Sequence, residues 1–176
     1  AWVLFQKRAL EYGFIHVTSS QEEEAVRSLN ITSPKIREIP NGVPVKDYSE
    51  IARATSSDKI RLGFDPNARY ALFLSRLHPK KNLELLLEAW PKVIRYGNWK
   101  LLVAGSCSDG RYLAKLKNLA KDVGIDNSVE FLGFADEDRK KELFSIAELF
   151  ILPSKTENFG IAIAEAMAAG IPVITS

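Results

Sequence analysis

From residue 70 onward, short apolar runs alternate with segments in which apolar residues recur every three or four positions. The runs are rich in Leu, Val, Ile and Phe, too short for helices, and lack the polar alternation of a strand with one wet face. They therefore read as strands of a parallel sheet covered on both sides. Five are predicted, over 70–75, 100–104, 129–132, 149–152 and 172–175. The first intervening helix opens at Asn82 as N-cap and carries Leu83, Leu86, Leu87, Trp90, Val93 and Ile94 on one face, with Pro91 as an expected kink. A second spans 109–123 and stops at Gly124. Asp136 caps a third that runs to Ile146, and a fourth covers 158–169, closed by Gly170 with Pro172 beyond. Strands alternating with helices in this way predict an α/β fold with a Rossmann-like, doubly wound parallel sheet.

Before residue 70 the pattern is less regular. It predicts a helix over 2–12, a strand over 14–18, a helix over 21–29 and a short strand over 36–39, followed by the turn signal Pro40-Asn41-Gly42. Residues 1–40 read as the tail of a preceding domain with its linker, 41–44 as a hinge, and 41–176 as one domain incomplete at its C-terminus. A further short helix is expected over 47–54. The chain opens on Ala1 and closes on Ser176 directly after an apolar strand pattern. It is therefore read as a fragment, with the strand over 172–175 expected at an exposed sheet edge.

Composition adds bounds. With 46% hydrophobic and 26% charged residues the chain has enough apolar material for an ordinary core, which excludes disordered and fibrous classes. Twenty-four Lys and Arg against 22 Asp and Glu, spread along the chain, give no basic tract and so no nucleic-acid partner. The single Cys107 excludes an internal disulfide and has no sequence neighbour suited to redox or nucleophilic chemistry. No apolar run approaches the roughly 18 residues of a bilayer-spanning helix. The start has no signal-peptide layout, so a cytoplasmic setting is expected. Asn30-Ile31-Thr32 matches a glycosylation sequon but reads as an exposed turn in a chain without an export signal.

In a doubly wound sheet the first and fourth of these five strands lie side by side where the winding reverses, and ligands bind outside their carboxyl ends. The loops concerned are Arg76-Leu77-His78-Pro79-Lys80-Lys81 and Pro153-Ser154-Lys155-Thr156-Glu157. Arg76 offers a bidentate fork and Lys81 a point charge, a pairing suited to a diphosphate. Glu165 stands in the small, apolar helix segment Ile161 to Ala169 and needs a partner, either ligand hydroxyls or an internal ion pair. Glu157 lies eight residues earlier. At helical rise the two carboxylates are roughly 12 Å apart, a span that brackets a diphosphate between sugar and ribose. It exceeds the about 5 to 9.5 Å of a glycosidase pair. Phe159, Gly160 and Ile161 allow close backbone approach of an anion or hydroxyl. Gly105 after the second strand and Phe134 after the third are less specific candidates. Asp136-Glu137-Asp138 imitates a metal-binding pair but opens a helix, where acids cap. His78 reads either as a sugar contact or as an exposed loop residue.

These residues resemble the retaining glycosyltransferases of family 4, which have the GT-B fold. Pro153-Ser154-Lys155-Thr156-Glu157-Asn158-Phe159-Gly160, running into Glu165-Ala166-Met167-Ala168-Ala169-Gly170-Ile171-Pro172-Val173, is similar to the family's two-Glu segment. Leu74-Ser75-Arg76-Leu77 with Lys81-Asn82, Pro40-Asn41-Gly42-Val43 and Val129-Glu130-Phe131-Leu132-Gly133 match further family segments in order. Ser75 and Asn82 stand where the family has Gly, so the loop geometry is expected to differ slightly there. The resemblance implies the C-terminal, nucleotide-sugar-binding domain of a GT-B enzyme that transfers a hexose with retention. Arg76, Lys81 and Glu157 would be its catalytic residues, the two cations on the donor diphosphate and Glu157 on the sugar. Glu165 would meet the ribose, the amides of Phe159, Gly160 and Ile161 the sugar or phosphate, and Phe134 the base, with Gly105 nearby. It implies no metal and no cofactor besides the donor substrate. The acceptor glycan or lipid would be held mainly by an N-terminal domain, with peripheral membrane contact of the longer enzyme. A non-catalytic nucleotide-binding module of the same fold, or a GT-B phosphorylase or epimerase, remain the alternative readings.

Overall fold

The run Tyr70-Ala71-Leu72-Phe73-Leu74 is shielded from water along its whole length, with exposures of 0% to 7%. That is the environment of a central strand covered on both faces. The computed structural model describes residues 13–29, 35–157 and 159–176, and this run forms the middle of its five-stranded sheet. The described residues fall into two units, one within Ala1–Val43 and Glu157–Ile161, the other within Pro44–Thr156 and Ala162–Ser176.

In the first unit β1 (Phe14–Val17) and β2 (Lys35–Glu38) pair in parallel, with α1 (Ser20–Arg27) between them in sequence. The Ser19 hydroxyl caps α1 by accepting the Glu22 N–H at 3.3 Å. The helix expected over 2–12 and the sequon residue Asn30 lie outside the described residues.

The second unit begins with α2 (Val45–Ser49) and α3 (Ser56–Arg61). It continues through β3 (Arg69–Leu74), α4 (Leu83–Val93), β4 (Trp99–Ala104), α5 (Gly110–Asp122), β5 (Val129–Gly133), α6 (Glu137–Ile146), β6 (Leu149–Leu152), α7 (Ile161–Ala168, all but its first residue in this unit) and β7 (Val173–Thr175). The strands lie in the order β5-β4-β3-β6-β7, and every paired neighbour is parallel. The winding therefore starts at β3, moves outward to β5, and returns to place β6 on the other side of β3, which is the predicted doubly wound order. β7 ends the row, with Ile174 exposed. Among the described residues no helix is long and apolar enough to cross a membrane.

Three local expectations change. The helix expected over 47–54 ends at Ser49, and a second helix, α3, follows it. The cause of α3 is a capping box: the Thr55 hydroxyl accepts the Asp58 N–H while the Asp58 carboxylate accepts the Thr55 N–H. The helix expected from residue 158 starts only at Ile161, because Gly160 takes φ +70°, outside the helical region. Asn158 itself lies outside the described residues. Asn82 does hold the N-cap position of α4, but in the left-handed conformation (φ 55°), and its side chain makes no cap bond. The Leu85 N–H is satisfied instead by the Asn82 carbonyl at 3.2 Å. Pro91 lies inside α4, and the chain tightens into a 3-10 turn over Ile94–Tyr96 directly after it.

Candidate functional site

β3 and β6 are parallel neighbours, so the loops leaving their carboxyl ends emerge side by side. They are joined: the Lys155 N–H donates to the Lys80 carbonyl at 2.8 Å. Within the β3 loop, Pro79–Lys81 forms a 3-10 turn capped by His78, whose Nδ1 accepts the Lys80 N–H at 3.1 Å. Asn82 then reverses the chain into α4 with the only positive φ among described residues other than glycine. His78 thus has a structural task. The turn leaves Arg76 exposed at the loop surface and Lys81 half-buried.

The same end of the sheet is knitted across the next two loops. Ser75 N–H donates to Ala104 O at 3.1 Å, Leu77 N–H to Ser106 O at 2.9 Å, and Gly105 N–H to Gly133 O at 2.7 Å. Gly105 has φ +144°, and a Cβ there would lie 1.8 Å from the Ser75 carbonyl oxygen. The close approach that glycine permits here is therefore to the chain itself. Phe134, just past β5, is 76% exposed, an aromatic face presented at the row of loops.

Glu165 is only 6% exposed on α7. Its partners come from α2 and α6. The Tyr48 hydroxyl donates to Glu165 Oε1 at 2.7 Å, and Lys140 Nζ donates to the same oxygen at 2.8 Å. Lys140 Nζ also reaches Glu137 Oε1 at 2.9 Å and the Tyr48 oxygen at 3.2 Å, so its three protons meet three acceptors. The Tyr48 oxygen is 3.3 Å from Glu137 Oε2, but a phenol has one proton, and the 2.7 Å contact takes it. Burial, then the bond to Glu165, push the Tyr48 hydroxyl up to about 12. Burial works to lower the Lys140 pKa, but the bonds to Glu165, Glu137 and Tyr48 outweigh it and hold the ammonium above its ordinary range. The Lys140 contact also holds Glu137 below the usual carboxylate range. The Tyr48 ring is braced edge-on against Phe144 at 5.7 Å, which packs on Phe150 of β6.

The sequence showed that Glu165 needs a partner but not which one. Tyr48 and Lys140 were not singled out. A signal for Lys140 exists: it falls three and four residues before Leu143 and Phe144, on the face of α6 that turns inward. The remaining predicted residues, Glu157, Phe159, Gly160 and Ile161, belong to the first unit. Glu157 and Phe159 are half-buried, Gly160 is buried and Ile161 exposed. Since α7 begins after Gly160, helical rise does not set the separation of Glu157 from Glu165. Asp136 caps α6, its carboxylate accepting the Arg139 N–H at 2.8 Å. Among the described residues no group of three or more His, Cys, Asp or Glu is placed to hold a metal ion. A groove of about 730 Å³ opens next to the loops, lined by Asn82, Glu84, Arg111, Lys115 and Lys155 among others. There Tyr112 and Lys115 already bond to Glu84.

Residues 55–176 match the family model described as glycosyl transferases group 1. An uncharacterised glycosyltransferase of Methanocaldococcus jannaschii is 34% identical over 166 residues, covering 92% of this chain and 41% of that protein. A GDP-mannose-dependent monoacylated alpha-(1-6)-phosphatidylinositol monomannoside mannosyltransferase of Corynebacterium glutamicum is 35% identical over 153 residues, covering 80% and 38%. Sucrose-phosphate synthase of Thermosynechococcus elongatus superimposes with a TM-score of 0.79 at 26% identity, covering 98% of this chain and 43% of that one. HepE of Anabaena, solved with UDP and glucose, gives a TM-score of 0.76 at 24% identity, covering 92% and 44%. The fold is that of the GT-B glycosyltransferases. The chain spans about two fifths of the length of the curated relatives it matches. With a family model covering more than half its residues, this chain belongs to the group 1 glycosyl transferases.

Proposed function

We propose that this chain is the donor-binding part of a retaining, family 4 type glycosyltransferase that moves a hexose from a nucleotide-diphosphate sugar to a glycan, lipid or other acceptor. Residues 41–176 are read as the donor domain and 1–40 as the end of an acceptor domain with its linker. The observation that carries the reading is the Lys155 to Lys80 bond at the winding reversal. It joins the cationic loop after β3 to the loop after β6 where a doubly wound sheet binds its ligand. Arg76, exposed there, and Lys81 bind the diphosphate and neutralise the charge that gathers on it as the glycosidic bond breaks, so that no metal is required. Glu157 binds sugar hydroxyls, Phe134 stacks on the base, and Glu165 accepts from the ribose. Amides around Phe159 to Ile161 complete the sugar and phosphate contacts. Two similar proteins, a GDP-mannose-dependent enzyme and a protein solved with UDP and glucose, support a nucleoside diphosphate as the common part of the donor.

Calorimetry with UDP, GDP and ADP tests the reading. One of them is expected to bind, and Arg76→Ala is expected to weaken it about tenfold or more, the scale of a lost charge-assisted hydrogen bond. Absence of binding to all three, or equal affinity of Arg76→Ala and the wild type, would contradict the assignment.

A further inference from the structure

Two features of the Glu165 centre bear on what it can bind. Both of its donors converge on one oxygen, Oε1, while Oε2 accepts no hydrogen bond among the described residues. The centre is otherwise saturated: Lys140 spends its three protons on Glu165, Glu137 and Tyr48, and Tyr48 spends its one on Glu165. Two hydrogen bonds to Oε1 fix the rotation of the carboxylate, while Oε2 keeps its acceptor capacity and is not among the described buried side-chain atoms that lack a partner, so it stays open to solvent or to a ligand.

We propose that Tyr48 and Lys140 are positioning residues for ligand recognition: they pin Oε1 of Glu165 so that Oε2 is presented, charged and in one orientation, to the ribose hydroxyls of the donor. The inference rests on the reading that Glu165 faces the ribose. The carboxylate is ion-paired to the Lys140 ammonium at 2.8 Å, and a carboxylate in an ion pair only accepts. Oε2 therefore selects ligand groups that donate, which hydroxyls do and ring oxygens or phosphates do not. Tyr48 fixes the rotation of the carboxylate, and its own place is set by the Phe144 ring, itself packed on Phe150, rather than by the ligand.

The test pairs protein variants with a ligand change. UDP and GDP are compared with their 2′,3′-dideoxy forms by calorimetry on wild type, Tyr48→Phe, Lys140→Met, Lys140→Arg and Glu137→Gln. The wild type should prefer the ribo form about tenfold or more, as for a hydrogen bond to a charged group. Tyr48→Phe keeps the ring against Phe144 and should lower that preference several-fold, Lys140→Met should bring it close to unity, and Lys140→Arg should restore most of it. Glu137, 72% exposed, holds only the outer side of Lys140, so Glu137→Gln should leave the preference in place. If the wild type binds neither nucleotide, or binds ribo and dideoxy forms alike, the ribose assignment of Glu165 fails and the proposal with it. If the wild type discriminates but Tyr48→Phe and Lys140→Met weaken both forms equally, the residues are merely structural and only the positioning proposal fails. Should Lys140→Met not fold, Tyr48→Phe and Lys140→Arg decide the matter.

Discussion

The loop after β3 and the centre around Glu165 carry opposite charges and are built in opposite ways. The loop is shaped almost wholly by backbone: His78 caps its turn, Asn82 reverses it, Gly105 lets it lie against β4, and Arg76 stays in water. The carboxylate is buried, and two side chains from two other helices, Tyr48 and Lys140, bond to it before any ligand arrives. A guanidinium in water costs the fold nothing and gives up hydration only when an anion binds. A buried carboxylate must be compensated within the fold itself. Substitutions of the loop's exposed cation should therefore change binding alone, while substitutions at the centre should change binding and stability together.

The largest effect should come from Glu165→Ala, which removes the buried carboxylate shared by Tyr48 and Lys140 and leaves Lys140 with the exposed Glu137 as its one carboxylate partner. Breaking a buried pair in this way costs about 3 to 5 kcal/mol, or on the order of 10 °C in Tm for a chain of this size, readable by calorimetric melting. Arg76→Ala should cost about 1.5 to 3 kcal/mol of nucleoside diphosphate binding, yet shift stability by less than about 0.5 kcal/mol. A matching loss of stability in Arg76→Ala would erase the contrast between the two regions. Gly105→Ala probes the loop's backbone. Its Cβ would meet the Ser75 carbonyl at 1.8 Å, so the loop must move, at a cost of about 1 to 3 kcal/mol in urea unfolding, with weakened diphosphate binding as Arg76 shifts.

Alkaline titration sharpens the comparison from the other side. The folded-state pKa values of Tyr48 and Lys140 both lie above their ordinary ones, Tyr48 rising from 10.0 to about 12. A raised folded pKa means that the unfolded chain loses these protons first. The stabilisation is then complete below about pH 10 and is lost as pH climbs toward 12. Unfolding free energy should decline over that window, and less steeply in Tyr48→Phe. The smallest effect is expected for Glu157→Gln. It should leave nucleoside diphosphate affinity nearly unchanged and lower kcat/KM for the nucleotide sugar in the longer enzyme.

The sheet order was legible because each strand is a short apolar run closed by a small residue or turn, and because winding rules leave few arrangements for five such runs. The cap at Asp136 was legible for the same local reason, since its carboxylate bonds an amide of the turn that follows it. Arg76 and Lys81 could be read from their place after the first strand. The partners of Glu165 could not, because Tyr48 lies 117 residues away and Lys140 lies 25 away, in different helices. Between Arg139 and Lys141, Lys140 looks like one more solvated cation, and only its spacing to Leu143 and Phe144 turns it inward. The start of α7 was misplaced because the apolar pattern says nothing about the positive φ of Gly160.

The central claim is that one nucleoside diphosphate lies across the carboxyl ends of β3 and β6, with its diphosphate on the cationic loop and its ribose on Glu165. A crystal structure with UDP or GDP bound tests this most directly. The account predicts phosphate oxygens within hydrogen-bond distance of Arg76 and Lys81, and a ribose hydroxyl on Oε2 of Glu165 while Tyr48 and Lys140 remain on Oε1. A nucleotide seated instead in the groove lined by Glu84, Arg111 and Lys115, with Oε2 of Glu165 still untouched, would contradict it.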